Sequence, residues 1–348
     1  MPCSIIACTR LTTSKDLNVS KKSKIFILGL GLVLLLFLLE IFIGSVPIAA
    51  ADIWSVIIGE SENKIHQIIV LESRVPRALT ALFAGGGLAL SGLLMQRFFH
   101  NPLAGPSVLG ITSGSSFGVA LVVLVTGSAV LSQVSIAVAA FIGAMAVLLL
   151  ILVASKRIAS SVTLLVLGLM IGYMVSAGVT VLQFGATKEA LRSFVFWGMG
   201  SFSDLKTTEV LILGGTVLVG SSVIFMNTRK LDLFSLGNEY AYSMGLDVKK
   251  FRFVLLLVTG VLTGMVTAFC GPIAFIGLAV PHLARGLWQN GKHAVLVPAV
   301  VLSGSVIGMT CDLILRLPIG QSLPLNAVTS LFGAPVVIYI LLKGRKVF

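Results

Sequence analysis

Ten apolar runs, each close to 20 residues, succeed one another along this 348-residue chain, and they decide what it can fold into. A helix needs about 20 mainly apolar residues to cross a bilayer. Within lipid, only a helix or a closed barrel gives every backbone N–H and C=O a partner. The runs lie at 25–46, 75–96, 106–125, 130–153, 162–184, 210–226, 253–270, 272–288, 295–315 and 325–342. A further apolar piece, 191–200, is half a membrane thick. Residues 47–73, with Trp54 and scattered charges, suit a short amphipathic helix on the outer surface. The expected fold is all-α: about ten transmembrane helices, a half-helix on the outer side and short helices on the cytoplasmic side. Composition agrees, with 57% hydrophobic residues, 11% charged residues and a mean hydropathy of +1.06. In a soluble domain, about a quarter of the residues carry charge.

The loops supply the orientation. With residues 1–24 taken as a basic cytoplasmic tail carrying Arg10, Lys15, Lys21, Lys22 and Lys24, and 25–348 as one membrane domain, alternate loops place 18 of the 25 Lys and Arg residues inside. That asymmetry follows the positive-inside rule, supports an even number of spans and puts both termini in the cytoplasm. The net charge of +12 therefore reads as topology and not as nucleic-acid binding, because the basic residues are dispersed among loop ends with few exposed aromatics between them.

No chemistry-bearing constellation is present. Cys3, Cys8, Cys270 and Cys311 have no CxxC spacing, and no His/Cys set has metal-ligand spacing. The IIAC at 5–8 resembles a lipoprotein box but lacks a preceding apolar run. GLWQNGKH at 286–293 approaches a phosphate-binding loop, yet His293 stands where Ser or Thr would hold magnesium, and a membrane helix precedes it instead of a strand. The chain reads as a non-enzymatic transport subunit without metal or cofactor, whose energy comes from an ion gradient or a separate ATPase. Breakers at Asn101-Pro102, Pro106, Gly271-Pro272 and Pro281 fall at membrane depth or its edges, where irregular backbone survives only inside protein or along a wet cavity.

One polar island, 229–252, interrupts the apolar runs. Its five Lys and Arg residues assign it to the cytoplasm. It reads as two short helical pieces hinged at Gly237 and closed by Gly245, either a handle for a partner or an ordinary solvated loop.

RVPRALTALFAGGGLALSGLLMQ, HNPLAGPSVLGITSG, FWGMGS, LGNEYAYSMGL, GPIAFIGLAVPHLAR and CDLILR with LFGAPVVIYILL follow one another in this chain. In that order and spacing they resemble the permeases of bacterial ABC importers for ferric siderophores, haem and vitamin B12, over roughly residues 50–345. The resemblance implies a ten-span permease of the bacterial inner membrane with similar inverted halves. It further implies a second permease subunit in a homodimer or close heterodimer, a cytoplasmic pair of ABC ATPases and a substrate-binding protein outside. Ferric siderophore is the first expectation for cargo, with haem and cobalamin open. The alternative from another class is a gradient-driven carrier, which places ionisable groups at mid-membrane; the only acidic candidates here, Glu40 and Asp312, stand near outer ends.

The resemblance distributes three roles. Leu233, Leu236, Gly237, Ala241, Met244, Gly245 and Leu246 would couple to the ATPase. Val195, Met199, Gly200 and Ser201, in and after the half-helix, would form the outer gate, against the alternative of a fixed re-entrant plug. Arg74 and Arg77, three apart on one helical face, and Arg316, four after Asp312, would dock carboxylates of the binding protein, or else anchor the spans at lipid headgroups. Two departures stand out: SLPLN at 322–326, where the family usually reads ELPVG, and Gly105, where an acidic residue is common.

Overall fold

A computed structural model describes residues 5–44, 46–126, 133–158, 160–203, 205–289, 291–316 and 323–343; the side chains of 5–22, 340, 341 and 343 lie outside that description. The basic tail therefore falls largely outside the described side chains, and so does Ser322 of SLPLN.

In chain order the helices are α1 (Ile5–Phe42), α2 (Ala50–Ile58), α3 (Lys64–Gln67), α4 (Val75–Phe98), α5 (Ile111–Thr126), α6 (Gln133–Arg157), α7 (Ser161–Phe184), α8 (Lys188–Gly198), α9 (Thr207–Met226), α10 (Thr228–Phe234), α11 (Asn238–Ser243), α12 (Val248–Cys270), α13 (Ile276–Trp288), α14 (His293–Leu315) and α15 (Leu325–Lys343). Each of the ten apolar runs contains a helix, and among the described residues seven helices are long and apolar enough to cross a membrane by themselves. Of the other three runs, 325–342 lies in α15, and two show what the breakers do. A 3₁₀ turn, Pro106–Leu109, ending at a left-handed Gly110, leads into α5. An extended stretch from Gly271 leads into α13, whose 13 residues rise only about 20 Å. The first irregular stretch is packed in protein, with Pro106 against Gly277 and Gly110 against Gly168 and Gly172, whereas the second is buried at Gly271 and exposed at Ala274.

The bundle is built around α4. Some 83% of its apolar window is buried, against 17% for α1 and α7. The cause is the glycine run seen in the sequence. A methyl on Gly85 would sit 2.2 Å from the carbonyl oxygen of Gly304 in α14, and one on Gly92 only 1.6 Å from that of Gly277 in α13. On a third side, Gly87 faces Val217 of α9. Helices in lipid have no hydrophobic drive to associate, so this backbone-level approach, with its dispersion contacts, holds them. The same device joins α5 to α6, where Gly114 and Gly143 face each other.

Gly92→Ala should therefore cost about 3 kcal/mol or more, since a rigid backbone carbonyl occupies the space. Gly215→Ala, on an exposed face with nothing within 4 Å, should stay within about 1 kcal/mol of the parent. Thermal unfolding of the detergent-solubilised chains, measured side by side, checks the contrast.

Candidate functional site

The polar island folds into two short helices with glycine joints. α10 ends at Phe234, and Gly237 then takes φ +109° and ψ 152°, a region essentially closed to other residues. α11 ends in a Schellman cap: the N–H of Leu246 donates to Ala241 O (3.0 Å) and that of Gly245, at φ +84°, to Tyr242 O (2.9 Å). Ala241 and Leu246 are buried and Leu233 packs against the core from a partly buried position. Leu236, Tyr240, Tyr242 and Met244 stand more than half exposed. Of the seven coupling candidates, Leu236 and Met244 thus face outward, three are anchors and two are joints.

Three spanning helices hold this unit. The Phe234 ring lies 5.6 Å from Phe251 at the start of α12 and 5.6 Å from His100 just beyond α4. Asp232 accepts the backbone N–H of His293 (2.9 Å) and faces its Nδ1 (2.6 Å), which must carry the proton because a carboxylate only accepts. A carboxylate at the first turn of α14 also complements that helix's dipole. Asp247 caps α12 by accepting the Lys250 N–H (3.1 Å). That backbone hydrogen bond, first among the causes, holds the Asp247 carboxyl below its ordinary range, so the cap's contribution is present above the unfolded pKa and fades as pH falls through the lowered one. Beside α11 runs a groove of about 1670 Å³ whose rim carries Lys156, Arg157, Lys249 and Lys250 with Glu239 and Asp247.

At the opposite end, α8 starts on a Thr187 cap and closes at Gly198. Val195 is 44% exposed, Met199 and Ser201 are partly buried, and Gly200 turns the chain at φ +72°. The N–H of Ser201 donates to Cys270 O (2.9 Å), and a side chain at Gly271 would strike Trp197 O at 2.4 Å, so the end of α8 lies directly on the turn between α12 and α13.

The three arginines are placed differently from the helical-face expectation. Pro76 lacks the N–H that would continue an α-helical ladder, and residues Ile68–Arg74 form a π-helix ahead of it. Arg74 is 4% exposed and caps the end of α1, donating to Ile41 O (2.7 Å), Phe42 O (3.1 Å) and Val46 O. The side chain of Arg316 is 5% exposed, paired with Asp312 (2.6 Å) and Glu40 (3.4 Å) and donating to Glu40 O and Ile43 O. Arg77 meets Asp312 through two nitrogens, the Nη2 contact at 2.8 Å, and only its side chain keeps about a quarter (27%) of its surface exposed. Two of the three guanidiniums are thus committed to the fold, because the orphan carbonyls of α1 and the buried carboxylates of Glu40 and Asp312 use their donors first.

With this geometry in place, comparison with known proteins is decisive. A model of the FecCD transport family matches residues 32–343. The chain belongs to that family. It is 33% identical over 326 residues to the vitamin B12 import permease of Klebsiella pneumoniae, covering 93% of this chain and 96% of that one. It is 32% identical to the molybdate import permease of Haemophilus influenzae (86% and 89% covered) and 33% identical to the hemin permease of Yersinia pestis (90% and 95%). A solved inward-facing metal-chelate type ABC transporter superposes with a TM-score of 0.82 at 29% identity, covering 92% of this chain and 99% of that one. The chain is an ABC importer permease of the inner membrane in bacteria.

Asp312→Ala should take the ion-pair partner from Arg77 and leave Arg316 with Glu40 alone, at a cost of about 3–5 kcal/mol, the range for breaking a buried pair. Arg77→Ala, at the more open edge of the cluster, should cost less. Denaturation midpoints of the two variants in detergent check the order.

Proposed function

We propose that this permease carries a metal chelate, ferric siderophore first, from an external binding protein into the cytoplasm, and that it works as a homodimer on a pair of separate ATPases. The observation that carries the reading is the α10–α11 unit: exposed Tyr240 on α11 and exposed Leu236 and Met244 in the turns before and after it, the whole footed on α4, α12 and α14. Such knobs fit a cleft in a partner, and their footing passes the partner's movement to the spans. The basic residues clustered around them favour the cytoplasmic side for this face and for both termini. The chelate class is favoured because two of the relatives are named for cobalamin and hemin and the superposed transporter is of metal-chelate type; the molybdate relative is an oxyanion carrier and keeps that cargo as the second reading.

On this reading α8, with Val195, Met199, Gly200 and Ser201, is the outer gate beside the dimer axis. Arg77 is the one of the three arginines with surface left for a binding-protein carboxylate, while Arg74 and Arg316 hold the platform beneath it.

Purifying the complex and identifying the soluble proteins and the chelate that travel with it tests the assignment. Uptake into proteoliposomes should require both ATPase and binding protein; uptake driven by a gradient alone would refute it. Gly237→Val should leave the chain in the membrane but lower ATP-dependent uptake at least about tenfold, since 1–3 kcal/mol of backbone strain falls on the joint. Gly245→Val should act in the same direction. Val195→Cys and Met199→Cys should each crosslink between two copies in at least one nucleotide state; no crosslink in any state would remove the dimer or the gate.

A further inference from the structure

The departure at 322–326 carries an unassigned role. Asn326 is the second residue of α15, and it touches two other segments at once. Its Nδ2 donates to Gly198 O (3.1 Å) and to Pro272 O (2.7 Å), its Oδ1 accepts the Ala274 N–H (3.0 Å), and its backbone N–H donates to Met199 O (3.1 Å). The acceptors on α8 are carbonyls of a helix C-terminus, which have no partner within their own helix. Pro272 and Ala274 belong to the extended turn before α13, whose backbone groups likewise need partners from elsewhere. A planar amide offers two donors and one acceptor at a fixed angle, the combination this three-way junction uses. A glycine would offer no side-chain donor or acceptor here, and an aspartate would turn a charge onto two carbonyls.

We infer that Asn326 is a latch that holds the end of α8 shut on the α12–α13 turn, a positioning residue for the outer gate. The inference rests on the reading of α8 as that gate. Removing the amide frees Gly198 and Pro272 together, and the remaining tie between the two segments is the Ser201 N–H to Cys270 O bond. Opening then follows the path along which a small cavity of about 250 Å³ already lies, walled by Trp197, Ser201, Phe269 and Cys270.

Cys270 supplies the reporter, because it is 2% exposed on that cavity's wall. In the full chain in membrane vesicles, with Cys3→Ser, Cys8→Ser and Cys311→Ala, a small thiol reagent should label Cys270 slowly. Asn326→Leu, Asn326→Gly and Asn326→Asp should each raise that rate at least about tenfold, the expected effect of losing two or more hydrogen bonds on a local opening equilibrium. Asn326→Asp keeps the size of the side chain and secures the test if Asn326→Leu fails to fold. A sister series that keeps Cys311, 3% exposed in α14, and lacks Cys270 should not change. Rates within about twofold of the parent in all three variants, or equal rises at both cysteines, would overturn the latch. If Cys270 labelling rises as expected while Val195→Cys and Met199→Cys crosslink in no nucleotide state, the tie between α8 and the α12–α13 turn stands and the gate reading falls.

Discussion

Direct contact between helix backbones is the interaction on which this molecule depends. The glycines of α4 bring it against carbonyls of α13 and α14 where no other residue fits, and that fixes α4 at the centre. The α10–α11 unit and the arginine cluster are then hung on its two ends. The turn after α4 carries His100, against which α10 is footed, and Phe98 lies under the Arg252 guanidinium. The start of α4 carries Arg77 and, just before it, Arg74. A bundle held by dispersion at close range has little slack, so it is suited to moving in rigid blocks.

Ionised groups obey the same economy of space. Four carboxylates sit at helix ends: Glu40 and Asp312 with Arg77 and Arg316 at one end, Asp232 and Asp247 capping α14 and α12 at the other. None of these lies halfway along a span, the location where a carrier driven by an ion gradient would keep its coupling groups. Each cluster ties non-neighbouring helices together, so their chemistry serves architecture and docking.

Hydropathy and loop charge made the spans, the half-helix and the island legible, since each depends on local composition. Long-range partners were not legible. Arg74 and Arg77 looked like neighbours on one face because a 3.6-residue period was assumed, whereas Pro76 and the preceding π-helix break that period. Arg74 reaches back about 30 residues to α1, and Arg77 forward to Asp312, separations over which no spacing rule operates. Asn326 was visible only as a departure from a pattern, because its partners lie on α8 and on the turn before α13. The shortness of α13 was foreshadowed by Gly271-Pro272, but hydropathy alone counted the extended lead-in as helix.

α12 joins the α10–α11 unit to the end of α8. Its first turn carries Phe251 against Phe234, and its last residue, Cys270, accepts the hydrogen bond from Ser201 at the end of α8. Both lie on one uninterrupted helix of 23 residues without proline, about 34 Å long. Such an element behaves as a connecting rod: a thrust delivered at one end arrives at the other without crossing a hinge, and the two ends keep common time.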